Sequence, residues 1–140
     1  MKVNLLLSKM QIIIKTKNLK LTDDLKNLIQ NKISRLKKFI SIFKEESSKE
    51  KKGKMLSEVF FEIEKETRHH KKGNIFRAEA VMRLPGRKLV AKTHNDDLKK
   101  TVVAVKDELE REIRKYKAQV IELPRRKYRK IKREILHKIE

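Results

Sequence analysis

Phe76, Ala78, Ala80, Met82 and Leu84 alternate with a second set that includes Arg77, Glu79 and Arg83, and the run is cut by Pro85-Gly86. A period of two places the first set on one side of a strand and the second on the other, so this segment is a strand with one wet face. Leu84-Pro85-Gly86-Arg87 suits a type II turn, because proline presets the first central φ and glycine accepts a positive second one. Lys88–His94 then returns as a hairpin partner. Leu56–Lys65 alternates in the same way, with Val59, Phe61 and Ile63 opposite Glu58, Glu62 and Glu64. Three such strands need a cover for their dry face.

Two helices can supply it. Thr22-Asp23-Asp24 and Asn95-Asp96-Asp97 each present a capping side chain with acids at the positive end of a helix dipole. After the first, Leu25, Ile29, Ile33, Leu36, Ile40 and Phe43 recur at helical spacing. After the second, Leu98, Val102, Val105, Leu109, Ile113 and Tyr116 do the same. Gln11–Lys17 (QIIIKTK) is β-branched and short, as a strand is. Pro124 is expected to end the second helix by about Leu123. The expected fold class is α+β, in the order β-α-β-β-β-α, with a four-stranded sheet and two helices on one face. Residues 10–117 form the expected domain, with 1–9 as an N-terminal extension and 118–140 as a basic tail. Lys44–Lys54 (KEESSKEKKGK), free of apolar residues, reads as a solvated loop.

The 140 residues carry 39 Lys and Arg against 19 Asp and Glu, a net charge of +20. Such a chain repels itself unless a polyanion partner exists, and nucleic acid is the first candidate. The charge is not evenly spread: Lys100, Arg111, Arg114 and Lys115 leave the outer face of the second helix, and Arg35 and Lys38 one flank of the first. Pro124–Glu140 holds eight Lys and Arg against two Glu. Most of the seven aromatic residues fall on core-facing positions, so no row of exposed rings offers a stacking platform for single strands. Phosphate and shape recognition of folded RNA fits this pattern better.

Catalytic and metal readings are weak. There is no cysteine, which excludes thiolate chemistry and fits a reducing compartment. His69-His70 lies in a polar turn without a third ligand in view. Glu58, Glu62 and Glu64 line the wet face of a strand, where pairing across to Arg77, Arg83, Lys88 or Lys92 is their ordinary role. Gly53, Gly73 and Gly86 stand singly, so no loop cradles a phosphate. No run of about 18 apolar residues crosses a membrane, and Met1–Lys9 lacks the apolar stretch of a signal peptide. The chain is expected to be a cytoplasmic protein, not an enzyme, with no cofactor, metal, small-molecule substrate or membrane partner.

Phe76–Lys117 resembles the ribosome hibernation promoting factors, also described as sigma-54 modulation proteins and ribosome-associated inhibitors. The resemblance rests on the Pro-Gly hairpin between Ala78-Glu79-Ala80 and Leu89-Val90-Ala91, on the helix start at Asp97, and on the ending Leu109-Glu110-Arg111-Glu112-Ile113-Arg114-Lys115-Tyr116-Lys117. That ending is close to the family's L-E-R-Q-I-R-K-Y-K. Met10–Ile14 and Leu21-Thr22 agree more loosely. Glu108 stands where the family has Lys, and Glu112 where it has Gln; Leu98-Lys99 and Val102-Val103 replace its Met-Tyr and Ile-Asp pairs.

The resemblance implies a fold like the double-stranded-RNA-binding domain. It also implies binding to the 30S subunit at the decoding region, over the mRNA and the A- and P-site tRNAs. On this sequence the 16S rRNA-facing residues would be Arg111, Arg114, Lys115 and Lys117, joined by Lys92, Lys99, Lys100, Arg35, Lys37 and Lys38. The likeness is to the short form of the family, expected to be monomeric off the ribosome. The competing readings are a general structured-RNA binder without a ribosomal site and a protein docked to a membrane or partner through its tail. That tail is either a disordered arm along RNA or a short amphipathic helix carrying Ile131, Ile135, Leu136 and Ile139.

Overall fold

The computed structural model describes residues 2–7, 10–40, 57–67, 73–84 and 86–139. Its sheet has the strand order β1 (Lys2–Leu7), β2 (Met10–Lys17), β3 (Ser57–Thr67), β4 (Asn74–Leu84), β5 (Arg87–Asn95). β2 and β3 run parallel, and every other neighbouring pair is antiparallel. The β-α-β-β-β-α order is therefore present as expected. The segment ahead of Met10, expected as an extension, adds a fifth strand by pairing Val3 with Ile14 and Leu7 with Met10 along the free edge of β2. An unpaired edge is a row of open donors and acceptors, and β1 closes it.

Helix α1 (Asp23–Ser34) starts where Thr22 Oγ1 accepts the Leu25 N–H at 3.2 Å, and helix α2 (Leu98–Lys117) where Asp97 Oδ1 accepts the Lys100 N–H at 2.9 Å. Both lie on one face of the sheet, α2 against β4 and β5, α1 against β2 and α2. The core between them is the alternating set expected from the strands, including Ile12, Ile14, Val59, Phe61, Ile63, Ala80 and Met82. It meets Leu25, Ile29 and Ile33 of α1 and Val102, Val105, Leu109 and Ile113 of α2. Small Ala78, Ala80 and Ala91 sit beneath α2, which lets that helix approach the sheet closely. Thr93 Oγ1 donates to the Thr101 carbonyl at 3.3 Å, tying β5 to the first turn of α2.

The opposite face of the sheet is open. Across it, Ile13, Phe60, Val81 and Val90 form an apolar row in register, with Arg83 standing 5.1 Å over the Phe60 ring. Charged rows flank it, with ion pairs between Lys17 and Glu64 at 3.7 Å and Arg77 and Glu66 at 3.3 Å. Of the three glutamates expected to pair across strands, Glu64 does so, with Lys17 of β2 rather than an expected partner, and Arg77 instead meets Glu66. Gly86 has φ +77°, the left-handed value the Pro-Gly turn requires, and Leu84 pairs with Arg87 across it. Gly53, His69-His70 and the loop Lys44–Lys54 lie outside the described residues, as does Phe43.

The chain departs from expectation at Pro124. Instead of stopping, the helix widens into a π-helical segment, Ala118–Glu122, and continues as helix α3 (Leu123–Ile139). A proline ring clashes with the carbonyl four residues back and has no N–H to offer it. At the junction the Leu123 N–H bonds the Ala118 carbonyl, five residues earlier. This wider turn accommodates Pro124 without ending the helix. The tail expected as an arm or a short helix is therefore a helix of 17 residues.

Candidate nucleic-acid interface

Helix α1 ends at Ser34, short of the stripe expected to run on to Phe43, and Arg35-Leu36-Lys37-Lys38-Phe39 follows through tightened turns. The Leu36 N–H donates to the Ile33 carbonyl at 3.0 Å, and the Phe39 N–H to the Leu36 carbonyl at 3.1 Å. Leu36 and Ile40 stay fully buried, which turns Arg35 and Lys38 out to solvent with Lys37 half-buried between them. On α2, the buried pair Leu109 and Ile113 likewise leaves Arg111, Arg114 and Lys115 exposed and Lys117 half-buried.

One aromatic ring joins the two groups. Phe39 has the Lys38 ammonium 5.0 Å and the Arg114 guanidinium 5.2 Å from its centroid. A shallow groove of about 290 Å³ follows this seam, lined by Phe39, Ile113, Arg114, Lys117 and Glu122. The hairpin turn after β4 reaches the same end of the molecule, where the Arg87 guanidinium lies 4.9 Å over the Tyr116 ring. Arg87 is a cation that sequence patterning does not single out. Its only local signal is its place one residue beyond the Pro-Gly turn, whereas Tyr116 is far away in the chain.

The residues expected to act together divide by place. Arg35, Lys37, Lys38, Arg111, Arg114, Lys115 and Lys117 gather at the end where α1 and α2 finish. Lys99 and Lys100 are exposed at the start of α2, about 20 Å from Arg114 along the helix axis. Lys92 stands on the open face of the sheet, opposite Glu79 in register, because its neighbours Leu89 and Ala91 point into the core.

The cluster is partly neutralised by its own glutamates. Arg111 pairs with Glu108 at 3.0 Å and Arg114 with Glu110 at 3.8 Å, while Lys106 reaches Asp107 at 3.2 Å and Glu110 at 4.0 Å. Exposed pairs of this kind contribute about 0–1 kcal/mol, so a phosphate can replace a carboxylate at little cost. Arg35, at the C-terminus of α1, also complements that helix's dipole, which supports the fold with or without a ligand. Among the described residues no group of three His, Cys, Asp or Glu side chains could hold a metal ion, and no helix is long and apolar enough to cross a membrane. What the arrangement can do is bind anions across two helices.

Fold and surface together define an α+β protein with basic residues gathered at one end. The family model for sigma 54 modulation protein / S30EA ribosomal protein matches residues 12–121, and the chain belongs to that family. Membership makes it a ribosome-associated protein rather than an enzyme. Solved structures with this fold include the Thermus thermophilus Protein Y N-terminal domain, at 18% identity and TM-score 0.51, covering 74% of this chain and 93% of that one. A ribosomal subunit interface protein from Coxiella burnetii is similar at 20% identity and TM-score 0.52, covering 75% of this chain and 97% of that one. No curated protein sequence matches the chain.

Proposed function

We propose that this protein silences translation in the cytoplasm under stress by occupying the 30S subunit at the decoding region, as a monomer off the ribosome. In that reading Arg111, Arg114, Lys115 and Lys117, with Arg35, Lys37 and Lys38, contact phosphates of 16S rRNA. Lys99 and Lys100 extend the contact along α2, and Arg87 joins it at the hairpin turn. The observation that carries the reading is the meeting of basic residues from α1 and α2 around Phe39, within a chain of this family. Likeness in fold to a protein named a ribosomal subunit interface protein is in keeping with a site on the ribosome. Cations gathered at one end of the domain suit phosphate contacts that position a protein on folded RNA without reading its sequence. Lys92, on the reverse face, has no part in it.

Co-sedimentation with 30S subunits at near-physiological salt, in competition with mRNA and tRNA, tests the proposal. Displacement of this protein by mRNA and tRNA is the expected result. Stable co-occupancy of one particle by all three overturns it, and equal affinity for an arbitrary RNA duplex at matched salt points to a general structured-RNA binder instead.

A further inference from the structure

Helix α3 lies beyond the family match, which ends at residue 121. It carries eight Lys and Arg against one Glu. No ion pair among the described residues engages Arg126, Arg129, Lys130, Lys132 or Arg133, all of them exposed. This is the reverse of α2, whose arginines are held by neighbouring glutamates. Because α2 passes through the π-helical segment into α3 without a break in helical structure, the arm is a helical extension about 25 Å long.

We infer that α3 is a second RNA-binding element, recognising the phosphate backbone of a structured RNA independently of the end where α1 and α2 meet. Charge decides between the candidate occupants. A second copy of the helix would bring two strongly positive rods together. An anionic bilayer requires a continuous apolar face. Tyr128, Ile131 and Ile135 begin one, but at 100° per residue they span only about 60°, with Lys138 at one edge, Lys132 at the other and Leu136 set apart beyond it, narrower than the roughly 100° stripe a helix buries. Cations therefore surround most of the helix, an arrangement that suits the phosphates flanking a groove of duplex RNA. Tyr128, 67% exposed, adds a ring able to pack on sugar or base.

The test uses the full-length protein with five changes, Arg126→Gln, Arg129→Gln, Lys130→Gln, Lys132→Gln and Arg133→Gln, which preserve helix propensity. Binding to a labelled 16-base-pair RNA duplex and to 30S subunits is measured across a salt series, with circular dichroism as a check that the helix remains. Each lost phosphate contact lowers the slope of log affinity against log salt by roughly 0.9 on a duplex. A slope shallower by at least about 2 on the RNA duplex, with helicity retained, is the expected result. An unchanged slope overturns the inference. So does a variant that loses binding to phosphatidylserine vesicles while keeping its affinity for RNA. A second variant, Ile131→Gln with Ile135→Gln, should leave the slope on RNA as it was, and a fall equal to that of the five-residue variant would overturn the phosphate reading. The duplex arm separates this inference from the decoding-site proposal. Failure to bind 30S with arm-dependent duplex binding intact removes only the latter.

Discussion

The guanidinium of Arg114 stands 5.2 Å from the centroid of the Phe39 ring, so a cation of α2 rests on an aromatic side chain from the segment that follows α1. Lys38 approaches the same ring at 5.0 Å. The ring holds two positive charges near each other at a site where mutual repulsion alone would separate them. A cation over an aromatic face at an exposed site contributes about 0.5–1 kcal/mol.

Phe39→Leu tests that role. Leucine keeps the apolar contact with the core but offers no quadrupole to the cations. We expect a loss of about 1 kcal/mol in denaturant unfolding. A several-fold fall in 30S affinity should accompany it, because Lys38 and Arg114 lose their common support. Unchanged 30S affinity in a destabilised variant would reduce Phe39 to a packing residue.

The position of Lys92 gives a sharper contrast. It lies on the open face, in register with Glu79, whereas Arg114 lies at the helix ends on the other side of the sheet. Arg114→Glu should weaken 30S binding roughly tenfold or more, the scale of a lost charged contact. Lys92→Glu should leave it within about twofold once salt is matched, since no phosphate contact is removed. Equal losses from the two variants would mean that net charge, not place, governs binding.

Most of this fold is legible in the sequence because its information is periodic. Val59, Phe61 and Ile63 alternate into the core, and Leu25, Ile29 and Ile33 recur at helical spacing, as do Val102, Val105 and Leu109. The Pro85-Gly86 turn and the caps at Thr22 and Asp97 are local chemistry, and each is where the residues require it. What escapes is set by partners distant in sequence or by tertiary context. Lys2–Leu7 becomes a strand because the edge of β2 is open. The helical stripe runs through Leu36 and Ile40 whether or not the turn at Arg35 tightens, so periodicity does not register the break. At Pro124 the rule against proline in a helix is met by a wider turn rather than by a stop. That Arg35, Lys38, Arg111, Arg114 and Lys115 face solvent follows from the helical stripes. The contacts that join them do not, because Phe39 with Arg114 and Arg87 with Tyr116 are contacts between separate elements.

The start of α2 carries a prediction about stability alone. Asp97 Oδ1 accepts the Lys100 N–H at 2.9 Å, and its carbonyl accepts the Thr101 hydroxyl at 2.6 Å. Asp97→Ala removes the side-chain cap and should cost about 0.5–2 kcal/mol in chemical denaturation, whereas Asp97→Asn, an equivalent cap, should restore most of it. Since Thr101 also ties this turn to Thr93 of β5, amide exchange should accelerate in β5 as well as in the first turn of α2 in the alanine variant.

The glutamates of α2 carry the last prediction. Glu108 holds Arg111 at 3.0 Å and Glu110 holds Arg114 at 3.8 Å, so two of the cations proposed to meet rRNA are already engaged in the free protein. Binding a phosphate must displace a carboxylate from each, and the displaced carboxylate then faces the RNA. Glu108→Gln combined with Glu110→Gln keeps the side-chain volumes and the helix propensity while removing both negative charges. Stability should change by no more than about 1 kcal/mol, because the Arg111 and Arg114 side chains are well exposed at 75% and 63% and Lys106, which also reaches Glu110, keeps its shorter contact with Asp107 at 3.2 Å. Affinity for 30S should rise severalfold at low salt, and the gain should shrink as ionic strength increases and screens the carboxylates. A fall in affinity would show that Glu108 and Glu110 hold the arginines in the geometry the ribosome requires, making the pairs part of the binding surface rather than a restraint on it.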